Sequence, residues 1–106
     1  MIRTRSQYEA RAQIAKALAH PTRLFLLDAL LEKALCVNEM TELVSADQST
    51  VSKHLAILKD AGFVEVDKQG SMNFYSIRCL CLDEFFGCIE SVLRQKVLAQ
   101  QELVEL

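Results

Sequence analysis

Four cysteines are the residues of this sequence best suited to do chemistry, and they stand at Cys36, Cys79, Cys81 and Cys88. Three of them are close in sequence, since Cys88 follows soon after the run Cys79-Leu80-Cys81. Thiolates are nucleophiles and ligands for thiophilic ions, and a set of thiolates without histidine partners favours such ions over oxygen-preferring ones. The pattern therefore predicts free thiols that bind an ion or act as a redox sensor, rather than a framework of disulfides.

A second chemically capable surface is predicted on the helix that contains residues 48–58. At about 100° per residue, Val51, Leu55 and Leu58 share one side of this helix and form its buried face. The polar, basic or small residues on or beside the outward face are Gln48, Ser49, Thr50, Ser52, Lys53 and Ala56. Hydroxyl, amide and lysine groups bond base edges or phosphates, and a small residue lets the backbone come close to DNA. This face predicts a helix that reads the major groove.

The helices that support this surface follow from the spacing of apolar residues. A first amphipathic helix is predicted over about residues 6–19. Pro21 suits the first turn of a second helix, because its missing N–H is not needed there. The segment Leu24–Leu31 is apolar on nearly every side, so the second helix is expected at the centre of the fold.

A helix-turn-helix is predicted over about residues 38–61. Asn38 is expected to cap a third helix, and Asp47 is expected to cap the fourth, because both side chains accept hydrogen bonds from free N–H groups. Gly62 then suits the end of the fourth helix. The fourth helix is the one that carries the polar surface.

A hairpin and a long helix are predicted to complete the chain. Residues 63–67 and 72–77 alternate as strands do, and the turn signal Lys68–Ser71 joins them. A final amphipathic helix covers about residues 83–102. A helix-turn-helix followed by a hairpin over about 63–77 is the layout of a winged helix-turn-helix, so the fold is expected to be mostly α with a small β wing. Lys68 at the wing would lie along the flanking DNA backbone.

The two histidines are assigned structural roles rather than chemical ones. His54 falls on the core side of the fourth helix, which indicates a packed or hydrogen-bonded side chain and not a base reader. His20 precedes Pro21 and is interpreted as a polar group at a helix end, not as a metal ligand.

Length and composition limit the class of protein. With 106 residues, of which 51% are hydrophobic and 25% charged, the chain is expected to form one globular domain, residues 1–106. No apolar run is long enough to span a membrane, and the N-terminus lacks the apolar stretch of a signal peptide, so a cytoplasmic location is expected. A glycine-rich phosphate loop, a Cys-x-x-Cys pair and a histidine suitably spaced to activate a thiol are all missing from the sequence. An enzyme with a small-molecule substrate is therefore not expected.

The charge balance argues against indiscriminate coating of nucleic acid. The formal net charge is −2, and the sequence pI is near 5.6. Because non-specific affinity comes from neutralising phosphates, such a chain would need a local positive face to bind DNA. Residues 1–23, with five basic side chains and one acidic, show that the charge is uneven. A winged helix that binds another protein and ignores DNA is the alternative from another class.

Three segments together resemble the ArsR/SmtB family of metal-responsive repressors. They are AHPTRL at residues 19–24, CVNE at 36–39 and STVSKHL at 49–55, within a match that runs from about residue 12 to residue 93. The resemblance implies a homodimer built from the first and last helices, which binds a palindromic operator in double-stranded DNA and releases it when an inducer binds. It also implies a short strand at Leu35–Val37, paired with the hairpin strand that ends near Ile77.

The sequence departs from the family at its best-known arsenic site. Arsenic-sensing members carry Cys-Val-Cys where this chain has Cys36-Val37-Asn38, so one of the two thiolates is missing. The other three cysteines therefore become the main candidates. Neither histidine falls at the zinc site of the family's last helix, so zinc sensing of that type is not expected.

A cluster of these thiols requires a particular geometry. The implied strand pairing would put Cys36 beside the hairpin whose end carries Cys79. Two turns of helix, about 10.5 Å, would separate Cys81 from Cys88 if both were helical, which is too far to share one ion. A shared site therefore needs Cys81 in the lead-in to the last helix, with Asp83 as its cap.

The resemblance names trivalent arsenic or antimony, which takes three thiolates, as the first candidate inducer, with no obligatory cofactor. The expected ligands are a cluster drawn from Cys36, Cys79 and Cys81, with Cys88 as a candidate or completing ligand. Two alternatives remain open at this point. The thiols could instead form a redox or persulfide switch, or Cys79 and Cys88 could be small core side chains.

Overall fold

The structure, a computed structural model, describes residues 2–105; Met1 and Leu106, at the ends of the expected domain, lie outside the described residues. It contains five helices and three short strands in that range. Their bounds are α1 Arg5–Leu18, α2 Pro21–Glu32, β1 Leu35–Cys36, α3 Val37–Val44, α4 Gln48–Ala61, β2 Val64–Gln69, β3 Met72–Ile77 and α5 Leu82–Glu105. The expected class, mostly α with a small β wing, is confirmed.

For α3 and α4, the predicted cap at Asp47 and the predicted end at Gly62 are correct, and the predicted cap at Asn38 is wrong. Asp47 caps α4, because its Oδ1 accepts a hydrogen bond from the backbone N–H of Thr50 at 2.7 Å. Gly62 ends α4 with φ of 93°, in the left-handed region that favours glycine. Asn38 does not cap α3, which begins at Val37 with Cys36 as its N-cap.

The start of α3 differs from the prediction because β1 leads directly into the helix. Cys36 is both the last residue of β1 and the residue before α3. The side chain that reaches back is Glu39, whose Oε1 accepts a hydrogen bond from the backbone N–H of Cys36 at 3.0 Å. This bond lowers the pKa of the Glu39 carboxyl. A carboxylate three residues into the helix thus does the capping that was assigned to Asn38.

The three strands form one antiparallel sheet in the order β1-β3-β2. The expected pairing of the first strand with the last hairpin strand is confirmed by the register of Leu35 with Tyr75. The hairpin turn is tighter than predicted, since Gln69 pairs with Met72 and only two residues connect the strands. Lys68 therefore lies within β2 and not in the turn.

One hydrophobic core joins the helices to the sheet, and α2 contributes its centre as predicted. Leu26 and Leu27 are fully buried, and Leu30 is nearly so. The α2 side chains pack in one cluster with residues from α1, α3, α4 and the sheet. Phe25 is an exception to the expectation that α2 is covered on nearly every side, because it is 45% exposed.

The apolar faces of α1 and α5 lie largely outside this core. Ala17 is the buried residue of α1, whereas Tyr8 and Ile14 are exposed. In α5, Leu82 is buried, but most of the apolar side chains beyond it are exposed: Phe85, Ile89, Val92, Leu93, Val97, Leu98, Leu103 and Val104. No helix within the described range is long and apolar enough to cross a membrane.

Candidate nucleic-acid interface and cysteine pair

The fourth helix is fixed to the core by one face and presents the other to solvent. Val51, Leu55 and Leu58 are fully buried, as the helical wheel predicted. Helix α4 packs against α1, α2, α3 and β2, so its orientation is determined from several sides. A helix held in this way can present its opposite face to a groove of DNA without first becoming ordered.

The outward face of α4 consists of the predicted residues. The side chains that the structure exposes there are Gln48, Ser49, Thr50, Ser52, Lys53 and Ala56. Ser49 Oγ donates a hydrogen bond to Asp47 Oδ1 at 3.0 Å, so Asp47 orders the first turn of the helix as well as capping it. The hydrogen bond from the Thr50 N–H lowers the pKa of the Asp47 carboxyl. The first turn is also the positive end of the helix, and the Asp47 carboxylate lies at that end.

The wing contributes a neighbouring surface. Lys68 is exposed on β2, beside the hairpin turn. A cleft of about 150 Å³ separates the tip of the wing, Ser71–Asn73, from the start of α4, and Gln48 lines its other side. This proximity of Gln48 to the wing was not visible in the sequence, because it depends on how the hairpin folds back across α3.

The two histidines lie in contact with each other. His20 is the N-cap of α2, as its assignment to a helix end implied, and its Nδ1 accepts a hydrogen bond from the backbone N–H of Thr22 at 3.1 Å. His54 lies on the inner side of α4, half-buried, with its ring centroid 4.4 Å from that of His20. Burial lowers the pKa of His54, and His20 and Arg23 add to the effect. Sequence reasoning treated the two histidines separately and missed this contact.

Two of the four cysteines are close enough to act together. The Sγ atoms of Cys79 and Cys81 are 3.0 Å apart, in the segment between β3 and α5. The hydrogen bond with Cys79 is the main reason that the pKa of the Cys81 thiol is raised, because this bond favours the protonated thiol. Cys79 is half-buried and Cys81 is exposed, so a ligand from solvent can reach the pair.

Cys81 lies in the lead-in to α5, as a shared site required. Its backbone carbonyl accepts a hydrogen bond from the N–H of Phe85 at 3.1 Å, and α5 begins at the next residue, Leu82. Asp83 is not the cap that was predicted, since it lies inside the first turn. The Cys81 sulfur folds back toward Cys79 and not toward Cys88.

The structure does not bring Cys36 or Cys88 to the pair. Cys36 is buried and lies opposite Phe74 of β3 in the sheet. Cys79 follows Phe74 by five residues of mostly extended chain, which corresponds to a distance on the order of 15 Å. Cys88 is exposed on α5, six residues or about 9 Å along the helix axis from Leu82, where the helix begins. Among the described residues, no group of three or more histidine, cysteine or acidic side chains is arranged to hold a metal ion.

Comparison with known proteins agrees with the geometry of α4 and the wing. The sequence profile described as "Bacterial regulatory protein, arsR family" matches residues 20–66. An HTH-type transcriptional regulator of Methanocaldococcus jannaschii is 44% identical over 72 residues, which are 67% of this chain and 81% of that protein. The chain belongs to the ArsR family. The biofilm growth-associated repressor of Xylella fastidiosa is 33% identical over 78 residues, which cover 70% of this chain and 68% of the repressor.

A solved structure shares the fold. The solution structure of a Mycobacterium bovis protein, described as a homodimeric winged helix-turn-helix DNA-binding domain, superposes with a TM-score of 0.76 at 26% identity. The match covers 87% of this chain and 85% of that one. As an ArsR-family protein with this fold, the chain is a transcriptional repressor with the architecture of a DNA-binding domain. Its relatives are named as regulators and not as enzymes.

Proposed function

We propose that this ArsR-family repressor reads its operator with α4 and contacts the flanking backbone with the wing. One observation carries the proposal: the polar face of α4 is exposed while Val51, Leu55 and Leu58 are fully buried behind it. Lys53 would contact phosphate, and Gln48 and Ser49 would contact base edges, because amide and hydroxyl groups suit them. Thr50, Ser52 and Lys68 would complete the DNA contacts.

The exposed apolar faces of α1 and α5 support a homodimer as the form that binds. A helix of 24 residues is about 36 Å long, and α5 carries apolar side chains at the spacing of a single stripe. Contiguous apolar surface of this size on a monomer marks an interaction site. In such a dimer the two α4 helices would enter successive major grooves about 34 Å apart, which suits a palindromic operator.

The inducer proposed for this dimer is trivalent arsenic or antimony, with Cys79 and Cys81 as the core of its site. The fit of the residues is partial, since one chain offers two adjacent thiols and such an ion takes three thiolates. Cys88 lies on the same stripe of α5 as Phe85 and Val92, so a second copy packed on that stripe would bring its own Cys88 to the interface. Cys36 is buried, which makes it the least suited of the four as a ligand.

A redox switch is the second candidate, and the distance of 3.0 Å between the two sulfurs favours it. The two thiols would form one disulfide, releasing two protons and passing two electrons to a disulfide or peroxide oxidant. This reaction needs no third cysteine. It would change the lead-in to α5, which is the helix proposed to join the subunits.

Fluorescence anisotropy with labelled DNA from upstream of the gene tests these proposals. The reduced protein should bind this DNA and not a scrambled duplex of the same length. Arsenite, antimonite, zinc, copper(I), a disulfide and a persulfide donor are then added in separate titrations. Release by arsenite or antimonite supports the ion site, whereas release only by the disulfide or persulfide donor supports the redox switch.

The same experiment separates DNA binding from the alternative of a protein-binding winged helix. The alternative predicts equal, weak and strongly salt-dependent binding to both duplexes, since only phosphate attraction would remain. Equal binding at moderate salt would contradict the proposal that α4 reads an operator.

A further inference from the structure

The only two histidines of the chain meet where the DNA-reading helix rests on the core. The sequence contains 2 histidines, and they are the N-cap residue of α2, His20, and the inward-facing residue of α4, His54. Their ring centroids are 4.4 Å apart, and the ring planes are inclined at 48°. Both histidine side chains of the sequence therefore belong to this one contact.

The capping bond made by His20 requires a neutral ring. Its Nδ1 accepts the hydrogen bond from the backbone N–H of Thr22, and a backbone N–H can only donate. Protonation of Nδ1 would break this bond. It would also place a positive charge at the N-terminus of α2, where the helix dipole disfavours it. The cap of α2 and the charge of His20 are thus mutually exclusive.

His54 is equally unsuited to carry a charge in this position. Its Nδ1 is buried and, within the described part of the chain, has no hydrogen-bond partner. The positive charge of Arg23, on α2, disfavours a second positive charge on the His54 ring. The other charged side chains near Arg23 are Lys16 of α1 and Asp60 of α4, which line the same groove between these two helices. The Arg23 guanidinium donates to the backbone carbonyl of Lys16 at 3.4 Å, so it remains next to the pair.

We propose that the contact between His20 and His54 is a proton-sensitive positioning contact, which holds the DNA-reading helix against α2 only while both rings are neutral. Protonation uncaps α2, creates like charges across the contact and loosens α4 on its inner side. His20 acts through His54 and touches no DNA. The proposal rests on DNA binding by α4 and assigns to that helix a second control, separate from the cysteines.

The direction in which DNA affinity changes on acidification distinguishes this proposal from a simple increase in positive charge. Additional positive charge on a DNA-binding protein strengthens its attraction to phosphate, so acidification alone would raise the affinity. Loosening of α4 lowers the affinity instead. Because the pKa of His54 is depressed, its contribution to stability is present above the ordinary histidine pKa of about 6.5 and is lost as the pH falls below it.

Anisotropy at constant ionic strength, at pH 7.5 and pH 5.5, tests the proposal with the wild type and the double variant His20→Asn/His54→Gln. Asparagine caps helices well and does not titrate, and glutamine is neutral at both pH values. We expect the wild type to lose roughly tenfold in operator affinity at pH 5.5, and the double variant to lose about twofold or less. His20→Ala, which removes the cap, should bind weakly at both pH values.

Two results would overturn the proposal: wild-type affinity that is unchanged or higher at pH 5.5, or a double variant that loses as much affinity as the wild type. Should the double variant fail to fold, NMR titration of the two wild-type rings replaces it. Coupled titration supports the proposal, and independent titration of the rings refutes it.

Failure of DNA binding at pH 7.5 would refute the proposed function and not this contact. The contact is then tested by thermal unfolding, in which acidification from pH 7.5 to 5.5 should lower the melting temperature of the wild type more than that of the double variant. Equal decreases would refute it.

Discussion

The sulfur atoms of Cys79 and Cys81 lie 3.0 Å apart across a single intervening leucine, in the short segment that connects the wing to α5. We therefore expect Cys81 to be the decisive residue for the proposed response to an inducer. Replacing Cys81→Ser should leave operator binding at its wild-type value and abolish release by arsenite, because the pair is reduced to one thiolate. Anisotropy titrations with arsenite measure both quantities.

The matched control for this variant is Cys36→Ala. Cys36 is buried and remote from the pair, so its removal should leave release by arsenite intact. Normal release from Cys81→Ser, or loss of release from Cys36→Ala alone, would place the inducer elsewhere.

The outward residues of α4 are expected to divide into two classes. Lys53→Ala should weaken binding to all DNA sequences alike and reduce the slope of log affinity against log salt by about 1, because one phosphate contact is lost. Gln48→Ala and Ser49→Ala should in addition relax the sequence preference. Affinities for operator and scrambled duplexes at several salt concentrations separate these effects.

Lys59→Ala is the control for Lys53→Ala, since Lys59 is exposed on the last turn of the same helix. Lys59→Ala removes the same charge from the far end of α4 and should lower DNA affinity less than Lys53→Ala does. If Lys53→Ala left affinity unchanged at moderate salt, the assigned docking of α4 would be wrong.

Replacing Leu58→Ala should destabilise the fold by about 2–5 kcal/mol, because the side chain is fully buried and its removal leaves a cavity behind the polar face of α4. Chemical denaturation measures the change in the free energy of unfolding. Ile57→Ala is the neighbouring control, since Ile57 is 42% exposed and should cost much less. Similar decreases in the free energy of unfolding for Leu58→Ala and Ile57→Ala would contradict the assigned orientation of α4.

The stripe on α5 is expected to hold the dimer together. Val92→Glu places a charge in the middle of that stripe and should shift the protein toward monomer, as measured by sedimentation. Operator affinity should fall with it, because the two half-sites are no longer bound together. Ser91→Glu, on the opposite side of α5, should leave both properties unchanged, and a monomeric Ser91→Glu would refute this assignment.

The cap at Asp47 predicts a dependence of stability on pH. Hydrogen bonding lowers the pKa of this carboxyl, so its contribution is present above the ordinary aspartate pKa of about 3.9 and is lost as the pH falls below it. Thermal unfolding of Asp47→Asn should lack this part of the acid dependence, since asparagine caps without a charge. Asp47→Ala should be less stable than both near neutral pH. Identical acid dependence in the wild type and Asp47→Asn would show that the cap contributes none of it.

Local interactions account for the features that could be predicted from the sequence. The buried face of α4, its cap at Asp47 and its end at Gly62 all depend on residues within a few positions of each other. The class of fold followed from these local signals and from the resemblance to the family. The predicted cap at Asn38 was wrong because β1 runs directly into α3, and that strand exists only through its pairing with β3.

The sequence by itself determined that a polar, basic face would stand outward on a helix held by leucines and valine, and that thiols would gather near the start of the last helix. Only the tertiary structure decided which partners meet. The tertiary structure brings the sulfur of Cys79 close to that of Cys81, keeps Cys36 away from both, and places the rings of His20 and His54 in contact. The physical reason is that helix faces and caps arise from neighbours in the chain, whereas contacts between distant residues depend on how the helices and the sheet pack around their common core.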